Sequence, residues 1–336
     1  MKPSTIRVGV IGLGQIALKA HLPGYAKTKG CRITAVCSSR EQHARNIAKQ
    51  YGIPAIYKDW KKLIRSPEVD AVSICTPNFT HAPMTLKAFQ EGKHVLVEKP
   101  MAMTVADAQR MIQASRRAKK VLMVHHNMRF DPAIRTVEML LRKNVIGEVF
   151  SFKCTMAHRG PQDWSPKAKW FFNKRQAGGG VLMDLGPHLL HNICFMLADE
   201  PASVTAAIPR RKSAWMNQGE AQCSLLLRFK NGVTGTLNLG WADVYYQNRF
   251  YFYGSKGILL VNLAKGDPII VEYRHNNRKV YPPLPKSAFK PSLYEHFLDC
   301  IRRHKEPWMS GAEGLKTVRL IEAGYKSDRL GQTIKL

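Results

Sequence analysis

The glycine turn near the amino terminus constrains the fold of this chain more than any other feature of its sequence. The apolar run Ile6–Ile11 leads directly into Gly12–Ala17, which reads GLGQIA, and a mixed apolar and polar stretch follows. A G-x-G-x-x-A turn between a strand and a helix lets the backbone approach a pyrophosphate, whose negative charge the helix N-terminus stabilises. The sequence therefore predicts a dinucleotide-binding βαβ unit, with Gly12 making the tight turn and Gly14 facing the ligand.

The first 126 residues alternate short apolar runs with amphipathic stretches. Each run is almost entirely apolar, as is typical of parallel strands that are buried on both faces. The runs are Ile6–Ile11, Arg32–Cys37, Ala71–Cys75, His94–Val97 and Val121–Val124. Because strands and helices alternate, the crossovers are expected to be right-handed, and residues 1–126 are predicted to form a doubly wound parallel sheet of α/β class.

The pattern changes after residue 126, where the predicted strands become longer and follow one another with fewer helices. They are Val149–Ala157, Ser203–Ile208, Ala221–Phe229, Val233–Gly240, Arg249–Tyr253 and Ile258–Val261. Hairpin turns such as Asn231-Gly232 favour an open, mostly antiparallel sheet with helices on one face. Residues 127–336 are predicted to form this α+β domain. Within it, Arg274–Ser292 is predicted to be a loop, and two closing helices, Leu293–His304 and Ala312–Asp328, can pack back on the first domain.

The charge balance favours an anionic partner. The 52 Lys+Arg against 24 Asp+Glu leave a net charge of +28, and such a field attracts phosphates, acidic lipids, nucleic acid or an anionic substrate. The basic clusters are Arg116–Lys120, Arg210–Lys212 and Arg302–Lys305. They carry no interleaved aromatic residues and no zinc or helix-turn-helix pattern, so nucleic-acid binding is a minor alternative. A small-molecule substrate, anionic in one reading, is the expected partner.

The seven cysteines contain no C-x-x-C pair and no metal-ligand spacing. This pattern predicts reduced thiols and no metal site. No apolar run approaches the roughly 20 residues that span a bilayer, and the first apolar run stops at a glycine turn. A cytoplasmic protein without membrane contact is expected.

The end of the second predicted strand favours NADP over NAD. An NAD enzyme usually places an acidic residue there to bind the ribose 2′-hydroxyl. This chain has Ser38, Ser39 and Arg40 instead, with no acid before Glu41. Two hydroxyls and a guanidinium match a 2′-phosphate. The alternative, in which Arg40 only begins a solvated helix, leaves NAD open.

Several short motifs occur at or beyond the predicted strand ends. They are Thr76-Pro77-Asn78 with His81, Glu98-Lys99-Pro100, Asn127–Pro132 (NMRFDP), Gly178–His188 (GGGVLMDLGPH) and the closing Glu306–Gly314. Together with the glycine turn, these motifs resemble the Gfo/Idh/MocA oxidoreductases over nearly the whole chain. The resemblance implies an amino-terminal Rossmann domain, a carboxy-terminal α/β domain, and a dimer or tetramer of identical chains.

The resemblance also implies roles for individual residues. Lys99 would contact the reacting hydroxyl, His188 would be the general acid/base, and Asp184 would support both. The expected cofactor-binding residues are Gly12, Gly14, Gln15, Ile16, Ala17, Ser38, Ser39, Arg40, Thr76, Pro77, Asn78, His81, Glu98, Lys99 and Asn127. The expected substrate-binding residues are Lys99, Arg129, Arg159, Trp164, Asp184 and His188.

Two departures from the family pattern affect the predicted acid/base site. A second acid often follows the histidine by three residues, but this chain has His191, which could share the proton chemistry. If the stretch is helical, Asp184 and His188 lie on one face at i,i+4 spacing, although Pro187 between them can kink or restart the helix. Trp164 either faces the substrate or, with Trp170, only packs the domain.

These features predict an NAD(P)-dependent oxidoreductase, NADP-preferring, that acts on a ring hydroxyl or ketone of a sugar, cyclitol or related polyol. A histidine suits the proton transfer, and a lysine ammonium suits the developing alkoxide. Two alternatives remain open from the sequence. One is a glycoside hydrolase that recycles a tightly bound NAD, and the other is a dinucleotide-binding sensor without catalysis.

Overall fold

A computed structural model describes residues 5–209, 219–264, 268–285 and 290–336, so the predicted basic cluster Arg210–Lys212 lies outside the described residues. The chain divides into two compact units. The first unit is Met1–His125 with Pro291–Val318, and the second unit is His126–Lys290 with Arg319–Leu336. The segment Pro291–Val318 thus belongs with the first unit, whereas the sequence division counted it in the second domain.

The first unit contains a parallel sheet, as predicted. Its six strands among the described residues are β1 (Ile6–Ile11), β2 (Cys31–Cys37), β3 (Ala55–Tyr57), β4 (Ala71–Ile74), β5 (His94–Val97) and β6 (Leu122–Val124). They lie in the order β3-β2-β1-β4-β5-β6, and every pairing is parallel. Because parallel strands end at the same edge of a sheet, the loops after β1, β4, β5 and β6 are neighbours.

The first unit also contains helices. They are α1 (Leu22–Lys27), α2 (Glu41–Tyr51), α3 (Trp60–Arg65), α4 (His81–Gln90), α5 (Val105–Ala118) and α11 (Leu293–Arg303). Helices α1 to α5 connect the six strands, and α11, from later in the chain, belongs to the same unit. A π-helical turn, Ala17–His21, precedes α1. Side chains close in sequence cap the first turns of two helices. Thr104 accepts the backbone N–H of Asp107 at the start of α5, and Ser292 forms a capping box with Glu295 at the start of α11. These side chains satisfy N–H groups that have no partner within the helix.

The second unit contains a mixed, mostly antiparallel sheet, which confirms the predicted fold class. Its strands among the described residues are β7 (Val149–Ala157), β8 (Pro201–Ala207), β9 (Gln222–Phe229), β10 (Thr234–Gly240), β11 (Gln247–Gly254), β12 (Gly257–Asn262), β13 (Ile269–Tyr273), β14 (Lys279–Val280) and β15 (Ile334–Lys335). Their order is β14-β13-β12-β11-β7-β10-β9-β8-β15, with β7 and β10 parallel. Buried and exposed residues alternate strictly along β9, so one face packs on the core and the other stays open.

The remaining helices are α6 (Pro132–Arg142), α7 (Pro161–Trp164), α8 (Lys174–Ala177), α9 (Val181–Asp184), α10 (Gly186–Leu197) and α12 (Gly311–Leu330), whose first eight residues belong to the first unit. Asp131 begins α6 by accepting the backbone N–H of Ala133 at 2.8 Å. Residues of α6, α9, α10 and α12 share one apolar core with the inward residues of the second sheet.

The structure corrects several predicted elements. The predicted loop Arg274–Ser292 contains the short strand β14, which pairs with β13, and neither strand was expected from the sequence. The stretch from Asp184 to His188 is not one helix, because α9 ends at Asp184 and α10 begins at Gly186 with Pro187 in its first turn. Proline suits that position because it has no N–H to leave unsatisfied. Among the described helices, none is both long and apolar enough to cross a bilayer.

Candidate functional site

The glycine turn after β1 has the geometry that a dinucleotide needs. Gly12 has φ +88°, and a Cβ there would lie 2.4 Å from the carbonyl oxygen of Cys75, so only glycine fits. A Cβ on Gly14 would meet no atom within 4 Å. The backbone at Gly14 therefore faces open space, into which a pyrophosphate can approach. Ala17 is fully buried, as helix-to-strand packing requires. These residues fit a bound dinucleotide.

The two glycines predict different results on substitution. We expect Gly12→Ala to lower the free energy of unfolding by about 1–3 kcal/mol or more, because it combines a positive φ with a steric clash. Gly14→Ala is expected to change stability by less than about 1 kcal/mol, since its Cβ meets nothing, while dinucleotide binding weakens at least roughly tenfold. Thermal unfolding and titration of nicotinamide fluorescence measure the two effects. A Gly14→Ala variant that binds NADPH as tightly as wild type would contradict this assignment.

The predicted ribose-binding segment lies beside the glycine turn. Arg40 precedes α2, and its guanidinium donates to the carbonyl oxygen of Leu13 at 3.3 Å. Ser38 Oγ accepts the backbone N–H of Arg40 at 3.2 Å, and Ser39 is exposed. The nearest acid, Glu41, forms ion pairs with Arg45 and Lys58, each at 2.5 Å. Lys58 and Arg45 lower the pKa of Glu41 to about 2. The segment thus presents a cation and hydroxyls.

The loop after β4 is held by internal hydrogen bonds. Thr80 Oγ1 lies 2.6 Å from Thr76 Oγ1 and donates to the carbonyl of Pro77 at 2.7 Å. Asn78 is buried at the start of a short turn that leads into α4. His81 is fully buried, and its Nε2 lies 2.8 Å from the carbonyl oxygen of Thr76. His81 therefore contributes to the shape of this loop, and its role at the cofactor stays a prediction.

Lys99 lies in the loop after β5, at the same sheet edge as the glycine turn. It is half-buried, between the buried residues Glu98 and Pro100. Glu98, assigned to the cofactor from sequence, is only 6% exposed, and both its carboxylate oxygens are engaged by groups of the first unit. His21, His125 and Tyr294 near Glu98 were not singled out from the sequence. The sequence feature that could have indicated His21 and His125 was their position, since His21 follows the glycine turn and His125 follows β6.

The predicted acid/base residues lie at the junction of α9 and α10 in the second unit. Asp184 is the last residue of α9 and is 7% exposed. Trp241, fully buried directly after β10, donates its indole N–H to Asp184 Oδ2 at 3.2 Å. The His188 backbone N–H donates to the carbonyl of Leu185 at 3.1 Å in the first turn of α10, and the His188 side chain is half-buried. The sequence did not predict Trp241 as the partner of Asp184.

The triple glycine before α9 lies against the carboxylate of the half-buried Glu220. Glu220 Oε1 accepts the backbone N–H of Gly180 at 3.1 Å, that of Leu182 at 2.9 Å and the hydroxyl of Tyr325 at 2.7 Å. A Cβ on Gly180 would lie 2.1 Å from the carbonyl oxygen of Glu220, so glycine is required there. Burial raises the pKa of Glu220, although these hydrogen bonds oppose that shift. Glu220 therefore fixes the start of α9.

Further histidine and arginine side chains lie near α10 within the second unit. The rings of His126 and His191 are both buried and stack with centroids 4.1 Å apart. The Arg129 guanidinium lies over the Phe195 ring at 4.4 Å. Asn127, predicted to bind the cofactor, is exposed. His191, where the family often has an acid, is thus part of a histidine pair that the sequence did not predict.

Of the predicted substrate residues before the triple glycine, Arg159 lies in the bend between β7 and α7, and Trp164 is the last residue of α7. Arg159 is exposed, and its Nε lies 3.7 Å from Asp163 Oδ2. Trp164 is 37% exposed and packs edge-on against Phe171 at 5.2 Å. Trp170 stacks on the same ring at 3.8 Å. Both tryptophans thus pack within this segment, and Trp164 retains an exposed edge.

A parallel sheet with an open glycine turn after β1, and a lysine after β5 at the same sheet edge, is typical of dinucleotide-dependent oxidoreductases. Comparison with known proteins agrees. Residues 6–126 match the model described as oxidoreductase family, NAD-binding Rossmann fold, and residues 134–260 match the Gfo/Idh/MocA C-terminal domain. The chain belongs to the Gfo/Idh/MocA oxidoreductase family, which confirms the resemblance seen in the sequence.

Similar proteins include enzymes named for sugars. D-apiose dehydrogenase of Paraburkholderia graminis is 30% identical over 97% of this chain and 88% of its own length. The 1,5-anhydro-D-fructose reductase of Ensifer adhaerens is 28% identical over 98% of both chains. The crystal structure of aldose-aldose oxidoreductase from Caulobacter crescentus, complexed with glycerol, shows 30% identity and a TM-score of 0.88, covering 99% of this chain and 100% of the other.

Proposed function

We propose that this protein is an NADP-preferring oxidoreductase that interconverts a ring hydroxyl and a ketone in a sugar, cyclitol or related polyol. The observation that carries the proposal is the shared sheet edge of the first unit, where the open glycine turn follows β1 and Lys99 follows β5, two strands away in the same parallel sheet. The similar proteins support the substrate class, since their names refer to sugars. The net charge of +28 is consistent with an anionic substrate.

In the proposed reaction, the Lys99 ammonium binds the substrate oxygen and stabilises its developing negative charge. His188 accepts the hydroxyl proton during oxidation and returns it during reduction. Asp184 supports His188 while Trp241 holds the Asp184 carboxylate in place. A bound nicotinamide supplies the acceptor or donor of hydride.

The experiment that tests the function starts with the cofactor. The purified protein is titrated with NADPH and NADH, and sugars, cyclitols and sugar phosphates are then screened for reduction of NADP or NAD. Net turnover that needs added cofactor is the expected result. Cofactor that co-purifies and catalyses glycoside cleavage without net reduction would favour the hydrolase instead. Cofactor binding that responds to no substrate, with no dependence on Lys99, would favour a sensor.

The cofactor preference is tested by Arg40→Ala. We expect the affinity for NADPH to fall roughly 10- to 100-fold, because a charge-assisted contact to a phosphate is lost, whereas NADH binding changes little. Arg45→Ala is the matched control, since Arg45 lies on α2, just beyond Arg40, and its guanidinium pairs with Glu41. Nicotinamide fluorescence measures both affinities. If Arg40→Ala weakens both cofactors equally, or if wild type prefers NADH, the 2′-phosphate assignment is wrong.

We also propose that the chain forms a homodimer or homotetramer through the open face of the second sheet. This face carries Leu226, which is 49% exposed, together with half-buried residues such as Tyr251 and Leu260. Apolar side chains on an uncovered sheet are typical of an interface between subunits. Sedimentation velocity should show an oligomer that Leu226→Glu shifts toward the monomer. A monomeric wild type at micromolar concentration would exclude the proposal.

A further inference from the structure

Two buried histidines converge on one carboxylate oxygen directly before Lys99. Glu98 Oε1 lies 2.8 Å from His21 Nε2 and 2.9 Å from His125 Nδ1. Glu98 Oε2 accepts the backbone N–H of Lys99 at 3.2 Å. His21, His125 and Glu98 are 0%, 2% and 6% exposed. The backbone N–H of Lys99 is therefore bonded to the Glu98 carboxylate, which the rings of His21 and His125 hold in place.

The residues on either side of Glu98 and Lys99 are bonded as well. The backbone N–H of His125 donates to the carbonyl of Val97 at 2.8 Å. Beyond Lys99, the carbonyl oxygen of Pro100 lies 2.8 Å from Nδ1 of the buried His81. The backbone is thus bonded at Val97 and at Lys99, and the carbonyl of Pro100 faces the ring of His81.

The outer nitrogens of His21 and His125 are held by hydroxyl groups. His21 Nδ1 lies 2.9 Å from Ser73 Oγ, which is 3.0 Å from the Tyr25 hydroxyl, and His125 Nε2 lies 3.1 Å from the Tyr294 hydroxyl. Burial would raise the pKa of Glu98, but His125 and His21 hold it well below its usual range. Burial and His125 lower the pKa of His21 to about 4, so its ring is neutral near pH 7.

These protonation states give the network one direction. An ionised Glu98 can only accept, so His21 donates from Nε2 and His125 donates from Nδ1. A neutral His21 then accepts from Ser73 at Nδ1, and Ser73 accepts from Tyr25. Every donor in this arrangement points toward Glu98. A satisfied network of this kind rigidifies its surroundings because each unmade bond at a buried polar group is costly.

The same three side chains have the composition of a metal site, because two imidazoles and a carboxylate place their donor atoms within 4.8 Å of one another. The observed separations favour hydrogen bonding instead. Both imidazole nitrogens approach Glu98 Oε1 at ordinary N–H···O distances, and the two rings stack with centroids 4.3 Å apart. A zinc ion would have to displace the carboxylate oxygen from this position.

We propose that His21 and His125 are positioning residues, which act through Glu98 to fix the backbone of Lys99 and so aim its ammonium at the substrate oxygen. This inference rests on the proposed function of Lys99. It adds that the correct placement of Lys99 depends on side chains that touch neither substrate nor cofactor. A misplacement of about 1 Å at a reacting group can lower a rate roughly 100-fold.

The first test needs no substrate. Hydrogen exchange of the peptide that contains Lys99 is measured by mass spectrometry in wild type and in three variants. His125→Leu removes the donor, and we expect at least roughly tenfold faster exchange at Lys99, because a buried bond to a charged group is weakened. His125→Asn places an amide N–H near the Nδ1 position, so its exchange should stay close to wild type. His94→Leu is the matched control.

His94 is suited to this comparison because it is a buried histidine at the other end of the same strand. Its Nδ1 accepts the backbone N–H of Val121 at 3.1 Å, so this ring nitrogen bonds to a group other than Glu98. Replacement of His94 therefore shows how much the exchange rate at Lys99 changes when any buried histidine of this unit is lost. Exchange at Lys99 that rises equally in His94→Leu and His125→Leu would overturn the proposal.

The second test is a double-mutant cycle on kcat. His125→Leu alone should lower kcat roughly 10- to 100-fold, with NADPH affinity nearly unchanged. In a Lys99→Ala background, the same substitution should have almost no further effect, since a positioning residue has nothing left to position. An equal loss in both backgrounds would show that His125 acts independently of Lys99.

The two tests separate failure of this inference from failure of the proposed function. If wild type turns over no sugar, the function is wrong, while the exchange data still decide whether His125 and Glu98 hold Lys99. Metal analysis after dialysis against zinc gives a further outcome. One zinc per chain that is lost in His125→Leu would overturn the hydrogen-bond assignment.

Discussion

Lys99→Ala is expected to lower kcat by about 10³-fold while leaving NADPH binding within roughly threefold of wild type. Within the described residues of the loop after β5, Lys99 is the single cation, and this loop lies at the same sheet edge as the open glycine turn. Its ammonium is proposed to stabilise alkoxide character that develops only in the transition state. Removing it should therefore affect the chemical step and spare ground-state binding. Steady-state kinetics and fluorescence titration measure the two quantities.

Two further variants sharpen this test. Lys99→Met keeps the length and apolar stem of the side chain, so a loss equal to that of Lys99→Ala shows that the charge matters. Lys87→Met is the control, because Lys87 lies on α4 and forms an i,i+4 pair with Glu91. It should retain wild-type kcat. A Lys99→Ala enzyme with at least one tenth of the wild-type kcat would remove Lys99 from the reaction.

His188→Ala is expected to lower kcat by about 10²- to 10⁴-fold, which is the usual cost of losing a general acid/base. The physical reason is that water must then take the proton as hydride leaves the carbon. Added imidazole should restore part of the activity, since it can occupy the vacated space and carry the proton. Rates measured against imidazole concentration check this prediction.

His191 provides the comparison for His188, because it lies one turn further along α10 and is also a histidine. Its ring stacks on His126, so His191→Ala removes a buried aromatic contact from the second unit. We expect a loss of stability in thermal unfolding, with no rescue of kcat by imidazole. If imidazole rescues His191→Ala and not His188→Ala, the proton chemistry belongs to His191.

Much of the fold could be predicted from the sequence because the signals were local. The G-x-G-x-x-A turn, the apolar runs of β1, β2, β4 and β5 and the alternation along β9 each depend on residues within one element. The strand β7 has the predicted bounds, Val149–Ala157. The short strands β3, β14 and β15 were missed because two or three residues carry too little periodicity to detect.

The break between α9 and α10 shows how a local signal can remain ambiguous. The sequence indicated that Pro187 would either kink or restart the helix. Both outcomes are compatible with a proline, which has no backbone N–H to donate within the helix. The structure has a restart, with Gly180 held by Glu220, forty residues along the chain. That contact lies outside the range of any helical pattern, so periodicity could not decide between the two outcomes.

By itself, the sequence determined the class of the first domain, the family, and the positions of Lys99, Asp184 and His188 as candidate catalytic residues. Only the tertiary structure decided which side chains support them. His21, Glu98 and His125 meet because β1, β4, β5 and β6 lie side by side, although 77 residues separate His21 from Glu98. Strand order follows from how whole elements bury their apolar faces together. No local sequence pattern predicts the strand order, so the partners of a site residue can be identified only in the folded chain.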